Sequence, residues 1–420
     1  MSDKSALVTD SPFPRNYASE LLNITSGRGV YVTDAAGKRY LDFGSGIAVN
    51  ALGYGLKDLS KRLRRQVKEL VHISNLFANS PAVELARRLL QIQVEGSEKR
   101  FAAVHFGNSG AEANEAAIKY ARLYAMATRG PGHHKILSFS HGFHGRTLGA
   151  LSVTPTQKYR TKFEPLMPGC ESVEYNDVEA ARATIDGSFA AVIVEVIQGE
   201  GGLTMMTKEF AAALNEACAE HDVLLMADEI QTGLGRTGEL LGSSVAGLDP
   251  DIVSLSKPLA AGLPLSATLI PGKVNDQVEV GDHGTTFGGG PVTAEAGLYT
   301  LDRITAPGFL ERVRERSAHL DRRLEELAER LDCVAGLRGA GLLRGLEIVA
   351  PEVSGSPAGA EPTATGGAAR IADILSKARE RGLLVLRSGK NILRIAPPLI
   401  ISEKEIDRGV EILRSVLEEE

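Results

Sequence analysis

Two residues frame the chemistry open to this chain. VLLMADE (223–229) is an apolar run that reaches Asp228, and DIVSLSK (251–257) ends in the same way on Lys257. Both polar residues sit at the end of a strand-like segment. A carboxylate and an amine projecting from neighbouring strand ends can meet in one pocket, where the amine can serve as nucleophile or base. Taken singly, each reads equally well as a surface residue at the start of a loop.

Other segments add binding chemistry. GNSGAEANEAAIKYAR (107–122) is a glycine-containing turn that opens directly into a helix. The free N–H groups and dipole of a helix N-terminus suit a phosphate, while Ser109 also reads as an ordinary N-cap. No Gly-Lys-Ser/Thr follows the glycines, so no Walker site is present. HGFHGR (141–146) sets Phe143 among glycines, where it can lie flat on a ring or pack into a turn. Arg146 offers a planar fork suited to a carboxylate. Arg394 interrupts the apolar ILRIAPPL (392–399), and a buried arginine requires an anion. That anion is either a ligand or a structural partner such as Glu195 or Glu200, in AVIVEVIQGEGG (191–202). GLGRTG (233–238) matches G-x-G-x-x-G but opens no helix after a strand, so it does not indicate a dinucleotide site.

The elements that must position these residues are legible. Short apolar runs at 101–106, 135–140, 190–196, 223–227, 251–255 and 265–270 alternate with helical stretches such as 112–127 and 208–220. Alternation of this kind predicts an α/β fold with a mostly parallel sheet covered on both faces. In such sheets ligands bind beyond the carboxyl ends of the strands, where Asp228 and Lys257 fall. VYVTDAAGKRYLDF (30–43) reads as a hairpin, and 56–70 and 81–92 as helices. SGSPAGAEPTATGG (354–367) reads as a mobile surface loop. Beyond it a helix over 368–381, two short strands around 383–395 and a final helix form a small α+β domain with the N-terminal hairpin. The expected division is 1–70 and 306–420 for the small domain and 71–305 for the large one.

Composition narrows the class. The 420 residues exceed what one small core supports. With 47 Lys and Arg against 53 Asp and Glu, a net charge of −6 argues against a nucleic-acid partner. The 3 cysteines are far apart, which suits a reducing compartment. No signal-peptide core and no membrane-length apolar run appear, so a cytoplasmic enzyme with no membrane partner and no metal is expected.

Together the segments resemble the class III aminotransferases, pyridoxal 5'-phosphate (PLP) enzymes of fold type I. The resemblance runs from Asn16 to Leu417 and is carried by GNSGAEANEA, FHGRTLGALS, EVIQGEGG, ADEIQTGLGRTG, SLSKPLAAGLP, GDHGTTFGG and LRIAPPL, in family order. DFGSGIAVNALG (42–53) and GLLVLRSGKNILRIAPPLIISEKEI (382–406) place it nearest the acetylornithine aminotransferase branch.

The resemblance implies roles. Lys257 carries the cofactor as a Schiff base, Asp228 pairs with its pyridine nitrogen and Gln231 approaches its phenolic oxygen. Phe143 stacks on the ring. Ser109, Gly110 and Ala111 hold the phosphate, with Glu229 and Ile230 also at the cofactor. A homodimer with shared sites brings Thr286 to the partner's phosphate and Thr285 near its substrate. Arg146 binds the distal carboxylate of the substrate and Arg394 the α-carboxylate of 2-oxoglutarate or glutamate, with Glu195 nearby. An ω-amine donor leaves Arg394 facing an uncharged carbon chain, and Glu200 is expected to pair with it then. Ornithine aminotransferases carry a tyrosine near Gly46-Ile47 that this chain lacks, which favours an acetylated donor. Departures from the family pattern include Val196 for proline, Gly290 for asparagine and Tyr54 for histidine.

Overall fold

The computed structural model describes residues 7–8, 12–17, 21–349 and 364–419. Near the start, β1 (Ile24–Arg28), β2 (Tyr31–Asp34) and β3 (Arg39–Asp42) form an antiparallel meander, and the β2–β3 pair is the expected hairpin. Helices α1 (Lys57–Glu69) and α2 (Ser80–Leu89) follow. Asn79 caps α2, its side chain accepting from the Ala82 N–H at 2.9 Å.

The centre is a seven-stranded sheet. Its strands are β4 (Phe101–Gly107), β5 (Lys135–Phe139), β6 (Cys170–Val173), β7 (Phe189–Val194), β8 (Leu224–Asp228), β9 (Ile252–Leu255) and β10 (Ser266–Pro271). The spatial order is β4-β10-β9-β8-β7-β5-β6, and β10 alone runs against the rest. Helices α3 (Gly110–Arg129) and α4 (Lys208–Glu220) cover it. Every residue of β7, β8 and β9 is buried, which explains why their sequences read as nearly continuous apolar runs, interrupted only by Ser254 and closed by Asp228. Each Val, Leu or Ile sealed there contributes about 1.5–3 kcal/mol relative to exposure.

Toward the C-terminus come α5 (Pro291–Ile304), α6 (Phe309–Arg330), β11 (Val334–Ala340), β12 (Leu343–Ile348), α7 (Ala364–Glu380), β13 (Leu383–Leu384), β14 (Leu386–Ser388), β15 (Ile392–Ile395) and α8 (Glu403–Leu417). β11-β12-β15-β14 make one antiparallel sheet. β13 instead runs parallel to β3, with Leu383 opposite Leu41, and so completes the N-terminal sheet.

Two expectations change. The segment 383–395 holds three strands rather than two, because the chain leaves one sheet at Val385 and turns at 389–391 within the next. Helix α7 begins at Ala364, inside the stretch expected to be a loop. The remainder of that stretch, 354–363, lies outside the described residues. No helix among the described residues is long and apolar enough to cross a membrane.

Candidate active site

β8 and β9 are parallel neighbours, with Asp228 opposite Ser254. Their carboxyl ends deliver Asp228 and Lys257 to one cavity of about 260 Å³. Gly110, Ala111, Phe143, Arg146, Glu195, Glu200, Ile230 and Gln231 join them in its wall. The antiparallel return of β10 begins just after Lys257, and Ser256 fixes that corner by donating to the Leu265 carbonyl at 3.0 Å.

Asp228 is 5% exposed and fully engaged. Its Oδ2 accepts from Asn114 Nδ2 at 2.8 Å and contacts His144 Nδ1 at 2.8 Å, while Oδ1 accepts from the Ile230 N–H at 3.1 Å. Burial opposes charge on His144, but the Asp228 carboxylate outweighs it and raises the imidazole above its ordinary value. The His144 N–H donates to Thr154 Oγ1 at 2.9 Å, and the Asn114 amide also donates to the His144 carbonyl at 2.8 Å. His144 and Asn114 escaped the sequence reading. Their signals were a second histidine directly after Phe143 and a polar residue on the alanine-rich face of α3.

Lys257 is half-buried. Burial, then the Arg394 cation, pushes its amine down to about 8. Glu195 is pushed up to about 7 by burial, and its Oε2 accepts from the Phe143 N–H at 2.8 Å. That bond fixes the backbone from which the Phe143 ring projects.

Gln231 Oε1 is buried and has no hydrogen-bond partner, although it faces the cavity. Such an orphan acceptor marks a place for a ligand's donor. Gly199 permits it: a Cβ there would lie 2.2 Å from Gln231 Oε1. Across the cavity, Gly110 and Ala111 open α3, where the leading N–H groups point outward. Ser109 forms a capping box, accepting from the Glu112 N–H while its own N–H donates to Glu112 Oε2 at 2.8 Å. Its side chain therefore shapes the helix start, which was the plainer of its two readings.

Arg146 stacks over the Tyr159 ring at 3.7 Å and lies 5.4 Å from that of Phe143. Tyr159 had no sequence signal beyond its aromaticity. Arg394 is 3% exposed; it donates to the Gly199 carbonyl at 3.0 Å and to Glu200 Oε1 at 2.5 Å, leaving its Nε without a partner. Both readings of its anion meet here, because Glu200 is a wall residue as well as an ion-pair partner.

Glu229 follows Asp228 in the chain but is not in the cavity wall. Its carboxylate turns away from the cavity and accepts from Thr232 Oγ1 at 2.5 Å, the Gly242 N–H at 2.9 Å and the Ser243 N–H at 2.6 Å. It caps the turn at Ser243–Ala246. Thr285 and Thr286 lie outside the cavity wall of their own chain. The Thr285 carbonyl accepts from Asn75 Nδ2 at 2.9 Å.

Next to the Lys257 turn runs a left-handed stretch, with φ of 40° at Ser45, 64° at Gly46, 62° at Ile47 and 63° at Ala48. Each non-glycine residue there costs roughly 1–2 kcal/mol. Asp42 offsets the strain by accepting the Gly44 and Ser45 N–H groups at 2.8 and 2.9 Å. Tyr54, one of the departures from the family pattern, donates to the other Asp42 oxygen at 2.5 Å. The strained stretch packs on the Lys257 turn, so it helps fix the position of that turn.

The model of the class-III aminotransferases matches residues 13–417. An acetylornithine aminotransferase, mitochondrial, of Alnus glutinosa is 42% identical, over 96% of this chain and 84% of its own length. An acetylornithine/succinyldiaminopimelate aminotransferase of Photorhabdus laumondii is 40% identical, over 93% of this chain and 92% of its own. Among solved structures, a PLP-bound amine transaminase from an uncultivated Pseudomonas species superposes with a TM-score of 0.87 at 30% identity, covering 97% of this chain and 98% of that one. A match of this extent, over a site of this composition, makes the chain a member of the class-III aminotransferase family.

Proposed function

We propose that this chain is an acetylornithine aminotransferase, moving the δ-amino group of N2-acetylornithine to 2-oxoglutarate with PLP. The observation that carries the reading is the Arg394–Glu200 pair beside Lys257, a cation that can be either covered or offered to a carboxylate.

The residues present fit PLP. Asp228 suits the pyridine nitrogen and Lys257 the aldehyde carbon. Gln231, whose amide Nε2 can donate, suits the phenolic oxygen, the face of Phe143 the ring, and the start of α3 the phosphate. When bound, the cofactor serves as electron sink for the pair left by a broken C–H bond. Asp228, locked by Asn114, His144 and the Ile230 N–H, holds a negative charge against the protonated ring nitrogen. Lys257, with its lowered amine, would carry a proton between the substrate carbon and the cofactor's C4′.

Substrate choice rests on the far side of the cavity. Arg146, steadied on Tyr159, faces a distal carboxylate. With 2-oxoglutarate, Glu200 withdraws and Arg394 takes the second carboxylate. With the acetylated donor, Glu200 stays and Arg394 remains neutralised. Ile47 is exposed on the left-handed stretch, and the hydroxyl of Ser45 beside it is committed to the Ala396 carbonyl at 2.6 Å, which disfavours a free α-amino acid end there.

A homodimer completes the site. Its support is a face on which Leu76 is 88%, Phe77 64% and Phe287 65% exposed, held together by Asn75 and by contact of the His72 and Phe287 rings at 5.5 Å. Thr285 and Thr286 sit on that face, ready for the partner's cofactor and substrate.

The test is a donor panel with 2-oxoglutarate as acceptor, reading glutamate. N2-acetylornithine as the preferred donor supports the assignment. Preference for succinyldiaminopimelate, ornithine or 4-aminobutyrate moves the chain to another ω-aminotransferase.

A further inference from the structure

Away from the cavity, two imidazoles stack. His105 on β4 and His283 lie with ring centroids 4.4 Å apart and planes 11° from parallel. Tyr120 on α3 meets His105 Nδ1 through its hydroxyl at 3.0 Å and sets its ring edge-on to His283 at 5.8 Å. Lys119 Nζ lies 2.9 Å from His283 Nδ1 and donates to the Asp282 carbonyl at 3.2 Å.

An ammonium has donors only, so His283 Nδ1 must be the acceptor and the ring is neutral, with its proton on Nε2. A second positive charge on that ring would sit against Lys119 and face-on to His105. His283 is joined through Gly284 to Thr285 and Thr286. Asn75 ties the other side of the same segment, donating to the Thr285 and Gly288 carbonyls at 2.9 and 3.2 Å.

We propose that Lys119, His283, His105 and Tyr120 form a positioning cluster that sets the 282–289 segment at the angle from which its threonines serve the partner's cofactor. This rests on the homodimer reading given above. None of the four touches the cavity of its own chain. They act through the segment, so they are positioning residues.

The cluster carries a pH signature. Burial, then His283 and Lys119, pushes His105 down to about 4; burial, then Lys119, also lowers His283. The acids facing the pair are Glu112 and Glu115 on α3 and Asp282 on the segment, and they do not reverse that direction. Because the folded values lie below the ordinary 6.5, the cluster's stabilisation is complete above 6.5 and is lost as pH falls toward 4. Order in the segment should fall by about tenfold per pH unit for each ring that must stay neutral.

The experiment is hydrogen exchange of the segment 280–289 in the holoenzyme, corrected for intrinsic rates, alongside retention of PLP on dilution. In the unaltered protein both protection and retention should fall together below 6.5. His283→Gln keeps an acceptor for Lys119 and cannot take up a proton, so its protection should fall less steeply across that window, with His105 alone left to titrate. Parallel acid loss in His283→Gln would overturn the proposal. Lys119→Met, at an exposed position, should raise exchange of the segment several-fold at neutral pH; unchanged exchange also overturns it. Thr286→Val separates this from the dimer reading. If segment order follows His283 while PLP retention ignores both His283 and Thr286, the cluster positions the segment but the threonine's reach to the cofactor fails.

Discussion

The two ends of the cavity are built on opposite principles. At one end Asp228 is sealed among Asn114, His144 and the Ile230 N–H, all contributed by buried backbone or side chains. At the other, Arg394 is equally buried, but its partner Glu200 has 30% of its side chain exposed and sits on the turn after β7. One end presents a fixed charge to a cofactor whose demand never changes. The other presents a charge that must be covered for one substrate and free for the next. A low-dielectric setting makes the first strong, and leaving an ion unpaired makes the second costly unless a partner can come and go.

Substitutions should separate the two ends by size and kind of effect. Lys257→Ala should have the largest effect, lowering turnover by about 10⁴-fold or more, because nucleophile and proton carrier are lost together. Single-turnover kinetics would check this. At the fixed end, Asp228→Asn should reduce kcat by about 10²–10³-fold for every substrate alike, as expected when a preorganised charge is removed. A loss restricted to one substrate would blur the contrast between the ends.

At the switching end the expected change is selective. Glu200→Ala should shift the ratio of kcat/KM toward glutamate and away from the ω-amine by about tenfold or more. Unchanged donor preference would remove the switch from the account. The smallest effect concerns pH. Raising pH deprotonates Lys257, so capture of PLP by the apoenzyme should rise with a midpoint near 8 instead of the ordinary 10.5. Arg394→Gln removes the second cause of that shift and should move the midpoint upward, which absorbance-monitored reconstitution would reveal.

The fixed end was the more legible in sequence. β8 and β9 are mostly apolar, broken only by Ser254 before the ends, because both faces are covered, so Asp228 and Lys257 at those ends stood out. Asn114 and His144 did not, because a polar residue on a helix and a histidine in a turn acquire meaning only when the chain brings them to one carboxylate. Glu229 shows the converse: its neighbours in sequence face the cavity, but its carboxylate turns to the Gly242 and Ser243 N–H groups, a direction no local pattern reveals. The small sheet was legible in part. β13 and β14 are too short to show a period, and their assignment to different sheets depends on β3, far away in sequence.

The most direct test is the absorbance spectrum of the purified protein, recorded before and after N2-acetylornithine and then after 2-oxoglutarate. The account predicts a yellow protein that bleaches with the donor and regains its colour with the keto acid. Lys257→Ala should fail to complete that cycle. A colourless protein that takes up no PLP, or a yellow one that cycles without Lys257, would contradict the account at its centre.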